Sequence, residues 1–266
     1  MAGSLVDLNA DAGESFGAWQ MGNDAQLFPW LTSVNLATGF HAGDPFTMHR
    51  TASLAVRHGL AIGAHPSYPD RVGFGRRALA ASHEEIYTDT LYQLGALAGI
   101  LRPLGQKVHH LKAHGALYNR SATDPSAALA LLEAAHDFDP QLPVMVPPRS
   151  VIAALALELG VPIIREGFPD RDYLKDGTLA PRQAHGALIN DPRLIAERAL
   201  RMVQRSEITS LDGEIIAIEC DSICLHGDGP VAVIAAQEIR NLLAEQNINF
   251  ATHDPAPITD HPICPD

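Results

Sequence analysis

Short apolar runs alternate with longer segments of helical spacing along the whole chain, and this alternation restricts the fold more than any other feature. The runs are Leu5–Asn9, Ser33–Ala37, Ala61–Ala64, His109–Lys112, Pro143–Val146, Pro162–Arg165 and Ser222–Leu225. Each has the length of a buried strand, and all but the more polar fourth have its composition. Between them lie helix-like segments at Thr47–His58, Glu84–Leu104, Pro125–His136, Ser150–Leu159, Pro192–Val203 and Val231–Ala244. Three of these follow an Asp-Pro pair, at Asp44, Asp124 and Asp191. That pair supplies a carboxylate acceptor for the first turn and then a residue with no N–H to satisfy. Gly59, Gly105 and Gly160 stand where helices are expected to end.

Strands alternating with helices pair in parallel through right-handed crossovers. The 266 residues contain no linker and no low-complexity tract, so residues 1–266 read as a single (β/α) barrel domain. An open doubly wound sheet is the rival, but no phosphate-binding glycine loop follows the first strand. Ile215–Glu219 is expected to add a strand in a hairpin with Ser222–Leu225. The segments 113–119 and 184–190 both read Ala-His-Gly-Ala-Leu-x-Asn, a match too short to indicate duplication.

Lys and Arg number 19 against 31 Asp and Glu, a net charge of −12, which argues against nucleic acid or an anionic membrane as partner. Three cysteines form no disulfide framework, and Asp7, Asp11 and Glu14 interrupt any apolar leader core. A cytoplasmic location is expected. The sequence has no Gly-x-x-x-x-Gly-Lys-Ser/Thr loop, no His-Glu-x-x-His and no Gly-x-Ser-x-Gly.

In a parallel barrel the strand C-termini open on one shared face, and catalytic groups gather there. The polar residues of this chain follow that rule. Strand one runs out through Asp7, Asn9, Asp11 and Glu14, whose first three alternate and so share a face. Strand two is followed by His41 and Asp44, and strand three by His65 and the loop holding Arg76. Strand four ends at Lys112 and His114, with Tyr118 beyond. Strand six leads to Glu166, Asp170 and Arg171, and the last strand to His226 and Asp228. Of 13 histidines, His41, His65, His114 and His226 fall after four different strands. His49, His58, His83, His136, His253 and His261 read as surface, and Cys220 and Cys224 as core. Asp44 is readily explained as a helix cap.

These blocks resemble the LamB/YcsF family, whose members are called lactam-utilisation proteins or the A subunit of the bacterial ATP-dependent 5-oxoprolinase. The resemblance rests on Asp7-Leu-Asn-Ala-Asp-Ala-Gly-Glu-Ser-Phe-Gly17, Gly39-Phe-His-Ala-Gly-Asp-Pro45 and Gly63-Ala-His-Pro-Ser-Tyr-Pro-Asp70. It continues through Gly73-Phe-Gly-Arg-Arg77, His114-Gly-Ala-Leu-Tyr-Asn119, Glu166 to Arg182, and His226-Gly-Asp228. Thr38, Ala113 and Pro169 stand where the family usually has Cys, Pro and Ala, and none of these changes removes a carboxylate, a histidine, a lysine or an arginine.

The resemblance implies an irregular (β/α) barrel of about seven parallel strands, similar to the glycoside hydrolase/deacetylase superfamily. It implies ring opening of 5-oxo-L-proline to L-glutamate, with ATP as co-substrate of a complex with subunits B and C. The catalytic residues are expected to be Asp11, His65, Lys112 and His114. Asp11 and His65 would serve as base and water-positioning group, and Lys112 would meet developing negative charge. His114 would be the acid to the leaving nitrogen. Asn9, Glu14, His41, Arg76, Tyr118, Arg171, His226 and Asp228 are expected to bind substrate, with Arg171 or Arg76 clamping its carboxylate. No metal is firmly implied. Substituting Asp11 or Lys112 is expected to stop turnover without unfolding the chain. A metal-dependent deacetylase or amidohydrolase, and a non-catalytic binding component, are the alternative readings.

Overall fold

A computed structural model describes residues 5–182, 184–226 and 231–255. The strands and helices follow in order as β1 (Leu5–Ala12), α1 (Asp24–Leu27), β2 (Ser33–Ala37), α2 (Pro45–Arg57), β3 (Ala61–His65) and α3 (His83–Leu101). Then come β4 (Leu111–Lys112), α4 (Gly115–Ser121), α5 (Pro125–Phe138), β5 (Val144–Val146), α6 (Val151–Leu159) and β6 (Ile163–Gly167). The chain continues through α7 (Pro192–Arg205), β7 (Glu207–Thr209), β8 (Ile215–Ala217), β9 (Ser222–Leu225), α8 (Ala232–Glu245) and β10 (Asn249–Phe250).

The local chemistry accounts for these boundaries. Asp44, Asp124 and Asp191 each accept backbone N–H bonds at the starts of α2, α5 and α7, as their Asp-Pro pairs predict. Ser82 and Glu85 form a reciprocal capping box on α3. Gly160 ends α6 in the left-handed conformation.

The sheet is parallel and closed. β1 pairs with β2 on one side and β9 on the other, and the order β1-β2-β3-β4-β5-β6-β9 returns on itself. This is the expected barrel of seven parallel strands. β10 extends it by two residues beside the start of β1. Among the described residues no helix is long and apolar enough to cross a membrane.

One expectation is overturned. Ile215–Ala217 does not pair with Ser222–Leu225 but with Glu207–Thr209, in a separate antiparallel ribbon. Closure explains this, because β9 already has β6 and β1 as neighbours and offers no free edge. The two similar heptapeptides also differ in structure. Residues 115–121 form α4, whereas 184–190 lie in a loop.

Along β1, Val6, Leu8 and Ala10 join the apolar core, while Asp7, Asn9 and Asp11 form polar contacts with neighbouring strands. Asp7 accepts from the hydroxyls of Thr32, Ser33 and Ser222. Burial nonetheless pushes its carboxyl pKa up. Asn9 Nδ2 donates to Ser222 Oγ at 2.7 Å, and Asn35 Nδ2 donates to Asn9 Oδ1 at 2.8 Å and to Asp11 Oδ1 at 2.9 Å. His110 Nε2 meets Asn35 Oδ1 at 2.6 Å.

Room for the His110 ring exists because position 63 is glycine. A Cβ there would lie 2.2 Å from His110 Nε2. Gly63→Ala is therefore expected to cost about 1–3 kcal/mol or more through overpacking. Gly95→Ala, on a helix with nothing within 4 Å of the added carbon, is expected to stabilise by roughly 0.4–1 kcal/mol. Urea unfolding of the two variants checks both signs.

Candidate functional site

The strand ends of the barrel surround a cavity of about 550 Å³. Asp11, Glu14, His65, Arg76, Lys112, His114, Tyr118, Arg171 and His226 all line it. Their segments lie far apart in sequence and meet because parallel strands present every C-terminus to one rim. Asn9 lies outside this lining, fully buried and held by Ser222 and Asn35. His41 also stands behind the wall, 0% exposed, where it contacts Glu14. Asp228 lies outside the described residues.

Lys112 lines the cavity while almost fully buried, at the centre of a cluster of ionisable groups. Its Nζ lies 3.0 Å from Asp11 Oδ1, 2.8 Å from Glu166 Oε1 and 3.1 Å from Cys224 Sγ. The ammonium also faces the Phe168 ring, 5.3 Å from its centroid. Burial alone would pull the Lys112 pKa down. Asp11, Cys224 and Glu166 overcome that and hold it well above its ordinary value. Asp11 shows the converse balance: burial opposes ionisation, but His65 and Lys112 hold its carboxyl well below the usual range.

Glu166 and Cys224 are neighbours of Lys112 that the sequence does not place among the candidate site residues. Glu166 is visible as a strand-end carboxylate, but nothing along the chain pairs it with Lys112. Cys224 reads as core, and it is core. No spacing along the chain reveals that its sulfur sits beside a lysine. Glu166 also accepts from Tyr118 Oη at 3.1 Å.

Two other groups complete the lining. His226 Nδ1 and backbone N both approach Asp170 Oδ2, at 2.8 and 3.0 Å. The ring nitrogen thus donates to Asp170, and Nε2 is the nitrogen left for proton exchange. Arg171 is only 6% exposed, donates from Nη2 to Ala180 O at 2.6 Å, and has a buried Nε without a partner. Burial, with Arg182 close by, brings its pKa down to about 10, still cationic at neutral pH.

The loop that carries Arg171 is tied down by Arg198 of α7, which donates to Pro169 O at 2.9 Å and Arg171 O at 2.8 Å. In the loop after β3, Arg77 holds Asp70, whose pKa falls to about 2, while Arg76 turns to the cavity. The Gly73-Phe-Gly75 segment serves close packing. Gly75 has φ of 64°, and a Cβ there would lie 2.9 Å from both His114 and His41.

Glu14, His41, His65 and His114 form a second, adjoining cluster. One side-chain atom from each lies within 4.8 Å of the others. The His41 and His114 rings stack in parallel at 3.8 Å. Burial, followed by neighbouring histidines, lowers the pKa of both well below the ordinary histidine value.

Known proteins share this arrangement of segments. The pattern that defines the LamB/YcsF family matches residues 6–257. The chain belongs to the LamB/YcsF family. It is 51% identical over 253 residues to a Deinococcus radiodurans protein named as the A subunit of 5-oxoprolinase, covering 94% of this chain and 98% of that one. A Thermus thermophilus protein of the same name is 47% identical over 243 residues, 91% of this chain and 97% of that protein. The crystal structure of a lactam utilization protein from Thermus thermophilus superposes with a TM-score of 0.88 at 46% identity, covering 92% and 98% of the two chains. A family 4 carbohydrate esterase from Streptomyces lividans shares the fold alone, with a TM-score of 0.50 at 12% identity over 97% and 98% of the chains.

The ion cluster makes a prediction about acid stability. Asp11 has a lower pKa folded than unfolded, so its ionisation stabilises the fold above about pH 4, and that contribution disappears as pH falls through the folded value. Asp11→Asn, which leaves Lys112 paired with Glu166, is expected to flatten the loss of stability below about pH 4. Denaturant midpoints measured from neutral pH down to about pH 2.5 for both proteins check this. Lys112→Met departs from the expectation of an intact fold. It strands two buried carboxylates, and is expected to cost about 3–5 kcal/mol.

Proposed function

We propose that this chain is the A subunit of an ATP-dependent 5-oxoprolinase. It opens the lactam ring of 5-oxo-L-proline to L-glutamate, with ATP hydrolysis, in a complex with subunits B and C. The observation that carries this reading is the lysine ammonium buried between Asp11 and Glu166 in the wall of a cavity also lined by Arg76 and Arg171. Such a cavity suits a small substrate with one carboxylate and one amide. The names of relatives about half identical over nine-tenths of the chain support the same substrate.

Opening a stable amide requires an acceptor for the water proton, a cation for the carbonyl oxygen and an acid for the nitrogen. Asp11, oriented by Asn35 and Lys112, takes the proton of a water whose oxygen bonds to the lactam carbon. The carbonyl electron pair moves to oxygen, where the Lys112 ammonium stabilises it. The oxyanion pair then re-forms the C=O as the C–N bond breaks and its electrons pass to nitrogen. His226, entering the step as an imidazolium with Nδ1–H on Asp170, delivers its Nε2 proton to make the amine and is left neutral, while Asp11 holds the proton taken from water. Asp170 holds the His226 ring through Nδ1, as this role requires.

His226 takes the acid role in preference to His114. His114 Nε2 is engaged by Phe74 O at 2.9 Å and its Nδ1 faces His65. Arg171 binds the substrate carboxylate through its inward guanidinium, with Arg76 beside it. The sequence carries no P-loop, and the ATP chemistry is assigned to the partner proteins.

The test is release of glutamate from 5-oxoproline and ATP, measured with the chain alone and with subunits B and C added. Turnover is expected only from the complete set. Asp11→Asn is expected to lower kcat by about 10²–10⁴. Arg171→Ala is expected to act mainly on KM. A complete complex that releases no glutamate, or keeps near-normal turnover with Asp11→Asn, overturns this reading.

A further inference from the structure

We infer that Glu14, His41, His65 and His114 bind a divalent transition-metal ion. The placement of protons on the three imidazole rings leads to this. Each ring has one nitrogen committed to a partner that only accepts or whose own proton is already used. His65 Nδ1 lies 2.8 Å from the carbonyl oxygen of Lys112. His114 Nε2 lies 2.9 Å from the carbonyl oxygen of Phe74. A carbonyl cannot donate, so both of these nitrogens carry hydrogen.

His41 Nδ1 lies 3.0 Å from Ser67 Oγ, and the Ser67 hydroxyl donates its hydrogen to Tyr68 O at 2.9 Å. Ser67 therefore accepts from His41. Gln93 fixes Ser67 for this task, accepting from its N–H and donating to its C=O, both at 3.0 Å.

The remaining nitrogen of each neutral ring is then a lone pair. His65 Nε2 and His114 Nδ1 face each other at 2.9 Å. His41 Nε2 faces Glu14 Oε1 at 3.3 Å, His114 Nδ1 lies 3.7 Å from the same oxygen, and Asp11 Oδ2 approaches His65 Nε2 at 3.3 Å. With all three rings neutral, three imidazole lone pairs and a carboxylate point at one another inside the protein, an arrangement that repels itself unless a metal ion or a shared proton lies among them.

Four ligands bonded tetrahedrally at about 2.0–2.1 Å stand about 3.3 Å apart. Separations of 2.9, 3.3 and 3.7 Å bracket that value, and all four atoms lie within 4.8 Å of one another, so a bound ion would draw the outer pairs in by about 1 Å or more. Three imidazoles with one carboxylate favour zinc and its neighbours over magnesium or calcium. The backbone carbonyls and Ser67 act as the outer partners that set the tautomer of each ligand. The ion would adjoin Asp11, and its binding is measured without substrate, so the inference stands apart from the assignment of the lactam.

The test uses the whole chain purified without chelator. Elemental analysis is expected to find close to one equivalent of a transition metal per chain. After chelator treatment, Co²⁺ is expected to restore one equivalent with visible d–d bands, which Zn²⁺ removes by displacement. His41→Ala is expected to abolish uptake. Ser67→Ala, which removes only an outer partner, is expected to weaken affinity by about 10–100-fold with an unchanged circular dichroism spectrum. If the stripped wild-type chain takes up neither Co²⁺ nor Zn²⁺ at micromolar concentration, a shared proton holds the rings and the inference fails. Wild-type-like uptake by a folded His41→Ala variant also overturns it.

Discussion

Closure of the sheet is the constraint on which the rest of this protein depends. β1 is bonded on both sides, to β2 and to β9, so the seven barrel strands leave no edge. Two consequences follow from that pairing. Every strand end must open on the same rim, which brings Asp11, His65, Lys112, Glu166 and His226 within one cavity lining. The barrel interior must also hold the inward side chains of β1, and these are Asp7 and Asn9. Their polar atoms are satisfied by Ser33, Asn35 and Ser222 from adjoining strands.

That polar column supports the chemistry above it. Asn35 bridges Asn9 and Asp11, and His110 closes on the Asn35 oxygen through the gap left by Gly63. Asp11 is therefore held from below by an amide and from the side by Lys112. A buried ion group of this kind is costly to desolvate, and its value lies in orientation more than in stability. Lys112 keeps its charge because two carboxylates face it, and in the proposed reaction this buried cation would meet the negative charge that develops on the amide oxygen. His226 is oriented by Asp170, which accepts from its Nδ1.

The parallel barrel was legible because strand and helix periods alternate without interruption and because Asp-Pro caps mark helix starts. Ser33–Ala37 and Ser222–Leu225 coincide with their strands residue for residue. The rim was legible too, through His65, Lys112, His114 and His226 at strand ends. The β7–β8 ribbon was not. Three-residue strands carry little periodic signal, and the pairing of Ile215–Ala217 depends on whether β9 has a free edge, a property of the closed sheet. His41 and Asn9 were recognisable as polar residues of the right segments, but their place behind or beneath the cavity wall depends on how neighbouring loops fold over them. Glu166 and Cys224 gained their meaning only from Lys112.

By itself the sequence determined the kind of architecture and the supply of ionisable groups at its rim, because hydrophobic period and turn chemistry act over a few residues. It also carried the family membership, since the matching blocks run through the whole barrel. The tertiary structure decided which of those groups meet. The lysine between two carboxylates, the His226–Asp170 pair and the three histidines with one nitrogen each committed to a carbonyl or hydroxyl all join residues from different strands and loops. Charge balance and tautomer are set by such through-space neighbours at about 3 Å, and separation along the chain does not encode them.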